Sequence, residues 1–141
     1  MSRKSIIILV VITAIFGAVI FTLMQKNPGI TKIIFSENSL MTEEEIESYS
    51  ETDPEFDQSE QIYALLLVKN IPKGSTVDLQ WKISENGTEE LVQENSITLK
   101  EEGSGRIVVS LIQKNKSSRS GIYNVYVTIG ELELKNSFKI K

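Results

Sequence analysis

Apolar positions along the chain follow two different rules. Residues 6–24, IIILVVITAIFGAVIFTLM, are apolar without a break except for Thr13 and Thr22. At about 1.5 Å per residue such a run makes a helix of roughly 28 Å, the thickness of a bilayer's hydrocarbon layer. Past the turn-forming Asn27-Pro28-Gly29 the apolar runs shorten and begin to alternate. Ile33, Ile34 and Phe35 form a run too short for a helix and predict a first strand. Residues 62–68, IYALLLV, show no alternation and predict a strand buried on both sides or at the centre of a sheet, ending at a turn in Asn70-Ile71-Pro72-Lys73-Gly74. Val77, Leu79, Trp81 and Ile83 then alternate with Asp78, Gln80 and Lys82, the period of a half-buried antiparallel strand with Trp81 toward the core. Asn86-Gly87 follows directly and predicts a hairpin, because both residues tolerate positive φ.

Leu91 and Val92, then Ile97 and Leu99, then residues 107–112 predict further short strands, separated by Glu94-Asn95 and by Gly103-Ser104-Gly105. Residues 121–141 predict a closing hairpin. Tyr123, Val125, Val127 and Ile129 share one face, Gly130 makes the turn, and Leu132, Leu134, Phe138 and Ile140 return. About seven to eight short strands leave no room for the crossover helices of a parallel sheet. The fold class is therefore all-β, an antiparallel β-sandwich preceded by a single N-terminal transmembrane helix. The domain reading is a short basic cytoplasmic tail at 1–5, a transmembrane signal anchor at 6–24, a linker at 25–30, and the sandwich at 31–141 with an acidic loop at 37–60.

A resemblance supports the sandwich. Gly121-Ile122-Tyr123-Asn124-Val125-Tyr126-Val127 resembles the G-x-Y-x-V segment of immunoglobulin and fibronectin type III domains, whose tyrosine builds a corner, and Trp81 resembles their core tryptophan. With Ile71-Pro72-Lys73-Gly74 ahead of the tryptophan strand and Phe138 in the last one, residues 31–141 are similar to small Ig-like domains held outside the membrane in bacteria and archaea. The resemblance implies an Ig-like fold, with Tyr123 and Trp81 in the core, and brings no functional residue with it.

The N-terminal run reads as an uncleaved anchor. A signal peptide's apolar region is shorter and ends at a small-x-small site, whereas this run continues through Val19, Ile20, Phe21 and Leu23, and Phe16 occupies a position that needs a small residue. Arg3, Lys4 and the terminal amine precede it and Lys26 and Lys32 follow, a mild positive-inside bias that puts the sandwich outside. The basic pair ahead of the helix also resembles archaeal pilin-type leaders, although Ser5 stands where those carry Gly or Ala. Ala14 and Ala18, one turn apart, have the small-xxx-small spacing of packed membrane helices.

Composition removes most chemistry. The chain has no cysteine and no histidine, which excludes disulfides, thiolate and Ser-His-Asp nucleophiles, and His- or Cys-ligated metals. The net charge of −4 is unevenly spread: ten acidic residues and no basic one fall between Ile33 and Val68, and the remaining cations are scattered, so no nucleic-acid footprint exists. Within the acidic stretch Asp53, Glu55 and Asp57 have the alternate spacing of a calcium loop. Pro54 interrupts it, no glycine follows Asp57, and Ala64 holds the twelfth position, so a solvated loop is the expectation. Thr42-Glu43-Glu44-Glu45 is a capping box and predicts a turn or two of helix ending near Tyr49. Asn86-Gly87-Thr88 and Asn115-Lys116-Ser117 are glycosylation sequons on turns, and Tyr126 is the one aromatic expected to face outward.

No catalytic, cofactor-binding or metal-binding residue is assigned, and no cofactor. The expected function is non-enzymatic: a single-pass membrane-anchored extracytoplasmic module that binds another envelope protein, with the lipid bilayer as its second partner. The alternatives are a structural or accessory subunit of an envelope filament or secretion machine, and carbohydrate or cell-wall adhesion.

Overall fold

In the computed structural model the described residues are 28–50, 52–113 and 117–141. The anchor at 6–24, the tail at 1–5, Ser5, Ala14, Ala18 and Asn115 lie outside them. Eight strands and one short helix follow in the order β1 (Gly29–Ser36), α1 (Glu43–Ser48), β2 (Glu55–Phe56), β3 (Tyr63–Ile71), β4 (Thr76–Glu85), β5 (Thr88–Thr98), β6 (Gly103–Ser110), β7 (Gly121–Ile129) and β8 (Leu132–Ile140). They form two sheets, β1-β3-β6 and β2-β8-β7-β4-β5, antiparallel except where β2 runs parallel to β8. The chain passes between sheets after β1, β2, β3, β5 and β6, so the all-β sandwich expected from the alternation is present.

The core lies between the sheets. Ile33, Phe35, Ala64, Leu66 and Val109 from one sheet meet Val77, Leu79, Trp81, Ile83, Val125, Val127, Phe138 and Ile140 from the other. Phe138 is its centre, with ring centroids 4.6 Å from Phe35, 5.9 Å from Phe56, 6.2 Å from Trp81 and 5.0 Å from a stacked Tyr123. The four inward residues of β4 are fully buried, as the period-2 pattern requires.

β3 is covered on both faces for a reason that the apolar run alone did not reveal. Its second cover is the acidic segment: Ile46 of α1 packs on Ile34 and Leu65, with Met41, Tyr49 and Leu67 around them. The capping box is formed. Thr42 Oγ1 accepts from Glu45 N–H at 3.2 Å, and Glu45 Oε2 accepts from Thr42 N–H at 3.2 Å. The six-residue helix has no basic residue in its last turn; Lys32 of β1 supplies one, its ammonium donating to Tyr49 O at 2.5 Å and Ile46 O at 3.4 Å. The expected solvated loop is therefore a strap, anchored by Ile46 and again by buried Pro54 and Phe56.

Three boundaries differ from expectation. β1 begins at Gly29, paired with Lys69, two residues ahead of the expected start of the sandwich at 31. Glu94-Asn95 is no turn but the middle of the eleven-residue β5, because Asn95 faces inward and accepts the Trp81 indole N–H at 2.9 Å. Gly103-Ser104-Gly105 opens β6, paired with β3 through Gly103–Ile71 and Gly105–Val68, and the turn lies just before it. The Asn86-Gly87 hairpin is as expected, with φ of 51° and 80°.

Candidate interaction groove

The open side of the sandwich, where β5 and β6 are both terminal strands, holds a concavity. Its geometry starts from a β-bulge. β5 pairs with β4 as Gln93–Trp81 and then Leu91–Lys82, so Val92 is an extra residue. In a regular half-buried strand one of two neighbours faces the core; here Leu91 and Val92 are 46% and 38% exposed together. Opposite them the chain leaves β6 through buried Leu111 and 73% exposed Ile112.

Gln93 holds these two walls at fixed separation. Its amide donates to Ser110 O at 2.9 Å and to Asn95 Oδ1 at 2.8 Å, and accepts from Ile112 N–H at 2.7 Å. The far end of the groove is built on a tyrosine corner, which the G-x-Y-x-V resemblance implied: Tyr123 O–H donates to Arg119 O at 2.6 Å. Burial raises the Tyr123 phenol above its ordinary pKa, with opposing influence from Arg119, so it stays a donor. That corner presents Arg119 to Glu85 at 2.8 Å and Glu90 at 3.1 Å, and the two carboxylates raise the guanidinium's pKa further.

Beside Arg119, Ser118 N–H donates to Gln58 O at 2.8 Å. Ser118 itself is more than nine-tenths buried, and its Oγ has no hydrogen-bond partner among the described residues. Between these walls lies a groove of about 500 Å³, lined by apolar Leu91, Val92, Leu111 and Ile112 and by polar Gln58 and Ser118. A volume of this size suits one or two side chains of a ligand. Nothing in the sequence announced Ser118 or Gln58; the readable signal was Leu91-Val92, two apolar neighbours in a strand that otherwise alternates.

The outer face of the five-stranded sheet carries a second polar arrangement. Tyr126 faces outward as expected, its O–H donating to Glu89 Oε1 at 2.7 Å, while Asn124 donates to the same oxygen at 2.9 Å. Those two bonds, Tyr126 first, hold the Glu89 carboxyl below the usual carboxylate range, and Glu89 in turn raises the Tyr126 phenol. Lys82 and Lys135 lie over the ring at 5.0 and 5.4 Å. The ring is thus already engaged by the protein's own groups.

The acidic residues singled out by spacing are not brought together. Asp53 is an exposed turn residue with φ of 50°, Glu55 is in β2 and reaches Lys139 at 3.8 Å, and Asp57 is exposed beyond the strand. Among the described residues no group of three acidic side chains could hold a metal ion. Glu60 is raised above its ordinary value, by desolvation first and then by Glu37 beside it. Asn86 sits exposed at the β4–β5 turn.

No family model matches the chain, and no curated protein does. Among solved structures, a crystal structure of a CARDB domain in complex with di-metal ions, from Pyrococcus furiosus, is similar over 64% of this chain and 83% of that one. The sequence identity is 15% and the TM-score 0.42. A solution NMR structure of a CARDB domain from the same organism covers 81% of this chain and 97% of its own, with 13% identity and a TM-score of 0.40. Both are β-sandwich domains at the level of overall outline, and no residue role passes from them to this chain.

Proposed function

We propose that the chain is a non-enzymatic, single-pass membrane-anchored module whose β-sandwich lies on the extracytoplasmic side and acts by binding another protein of the envelope. The observation that supports this reading is the groove beside β5, with apolar residues left in solvent and a buried hydroxyl left without a partner. Its location agrees with an anchored binder. β1 starts at Gly29, beside Lys69 at one end of the sandwich, whereas Tyr63, Ser110 and the groove belong to the other end. Eight residues of strand separate the two by about 25 Å, so a tether preceding Gly29 leaves the groove at the far end from its attachment. Confinement to a membrane raises the effective concentration of such a module toward partners in the same plane.

Two experiments test the reading. A cysteine in place of Asn86 is expected to react with a membrane-impermeant reagent on cells whose outer layers admit it; protection there refutes the outward topology. Cross-linked capture from native membranes is expected to give the same partner when residues 6–24 are replaced by an unrelated membrane helix. Loss of the partner on that exchange points instead to an assembly subunit whose helix does the packing.

A further inference from the structure

We infer that the groove is a strand-addition site: an extended segment of a partner protein, with apolar side chains alternating with basic ones, lies along the open edge of β5. The inference rests on the protein-binding reading above and specifies the chemistry of the partner. β5 is the last strand in the order β2-β8-β7-β4-β5, so one side of its main chain has no neighbouring strand among the described residues. An extended peptide satisfies such an edge with its own N–H and C=O groups, and places alternate side chains to one face. The groove lies directly beside this edge, where exposed Leu91, Val92 and Ile112 offer an apolar seat. Ser118, whose buried Oγ has no partner among the described residues, lines the same groove.

Charge selects the occupant. β5 carries Glu89, Glu90 and Glu94 and no basic residue. At the groove's end Glu85 and Glu90 share the single cation of Arg119, which leaves an excess negative charge at the rim. A second copy of this chain would bring the same acidic strand, and antiparallel self-pairing would set carboxylates against carboxylates with no cation from either β5. A strand with Lys or Arg between its apolar residues meets both requirements.

The test places a photo-reactive amino acid at Ile112, or separately at Thr128 on the outer face of the five-stranded sheet, in the full-length chain in its native membranes. Mass spectrometry then identifies the cross-linked segment. The expected result is an adduct from Ile112 to another protein, at an apolar residue flanked by Lys or Arg. Val92→Lys should suppress it at least tenfold, as should competition by a synthetic alternating Lys-Val hexapeptide; Leu40→Lys, at a remote exposed position, should leave it unchanged. Val92 and Leu40 are both surface positions, so folding is expected to survive either change. An adduct to β5 of a second copy, to an acidic segment, or one indifferent to Val92→Lys overturns the inference. An adduct from Thr128 alone overturns this placement and leaves the protein-binding reading standing, whereas no adduct from either position overturns both.

Discussion

Among the described residues Gln93 ties the two sheets together by side-chain hydrogen bonds across the groove side, and its replacement has a calculable cost. Gln93→Met keeps the length and volume and removes three hydrogen bonds, to Ser110 O, Asn95 Oδ1 and from Ile112 N–H. Each such bond contributes about 0.5–1.5 kcal/mol net. Ser110 is half-buried and Ile112 exposed, so water can replace part of what is lost, and Asn95 Oδ1 keeps the Trp81 indole. The expected destabilisation is therefore about 2 kcal/mol, a factor of roughly thirty in the unfolding constant. Urea denaturation should show a lower midpoint at unchanged m, and the Ile112 amide should lose hydrogen-exchange protection. Gln93→Glu sharpens the test, because a carboxylate keeps the acceptor for Ile112 N–H but cannot donate to the two oxygens now facing it. Those oxygens raise the introduced carboxyl's pKa above its unfolded value. The folded state then holds the proton more tightly, and the penalty grows as pH rises from about 4. A Met variant within about 0.5 kcal/mol of the parent, with Ile112 exchange unaltered, would refute the reasoning.

Tyr123→Phe removes the bond to Arg119 O while leaving the ring stacked on Phe138, and should cost about 1–1.5 kcal/mol in urea denaturation. Tyr126→Phe should move the Glu89 titration up toward the ordinary carboxylate value, read by carbon NMR, because the phenol is the main cause of its lowering. In the parent the sign follows from the lowered folded-state pKa: the Glu89 contribution is present above the ordinary carboxylate range and is lost as pH falls through the lowered value. Lys32→Met should cost about 0.5–1 kcal/mol and raise amide exchange in residues 43–49, since the ammonium is the cation at the C-terminus of α1.

The period-2 rule made most of the sandwich legible, namely β4, β7, β8 and the inward Trp81; the Asn86-Gly87 pair marked its own turn, and the tyrosine corner was implied by the resemblance to immunoglobulin-like domains. The period-2 rule failed where polar residues occupy inward positions. Gln93 and Asn95 precede Ile97 in the inward series of β5, and Asn136 stands between Leu134 and Phe138 in that of β8. Read by hydropathy, Glu94-Asn95 looks like a turn; in the structure these amides sit where the sheets approach at their margins. Asn136 donates to Ile33 O at 2.7 Å on one side, as Gln93 donates to Ser110 O on the other. The groove was illegible for a related reason. It is made by segments distant in sequence, residues 90–92, 111–112 and 117–119, and its buried hydroxyl belongs to a serine that looks like any other in a polar turn.

The two sides of the sandwich are finished differently, and the proposed strand addition rests on that difference. On the β1–β8 side the acidic segment is spent as cover: Ile46 lies over β1 and β3, β2 pairs with the end of β8, and Pro54 O and Phe56 O accept from Lys139 N–H and Lys141 N–H at 2.9 and 3.0 Å. On the β5–β6 side, among the described residues, Gln93 spans the gap and no strand lies beyond β5. An exposed edge of eleven residues invites self-association unless something opposes it. Two features do, the bulge at Val92 and the carboxylates at Glu89, Glu90 and Glu94. Both act on a copy of the same strand, the bulge by breaking the regular ladder and the carboxylates by repulsion. Neither repels a flexible basic segment, for which the same carboxylates are attractive and the bulge leaves Leu91 and Val92 within reach. On the proposed reading, an edge protected in this way opposes a copy of itself and attracts a strand of opposite charge.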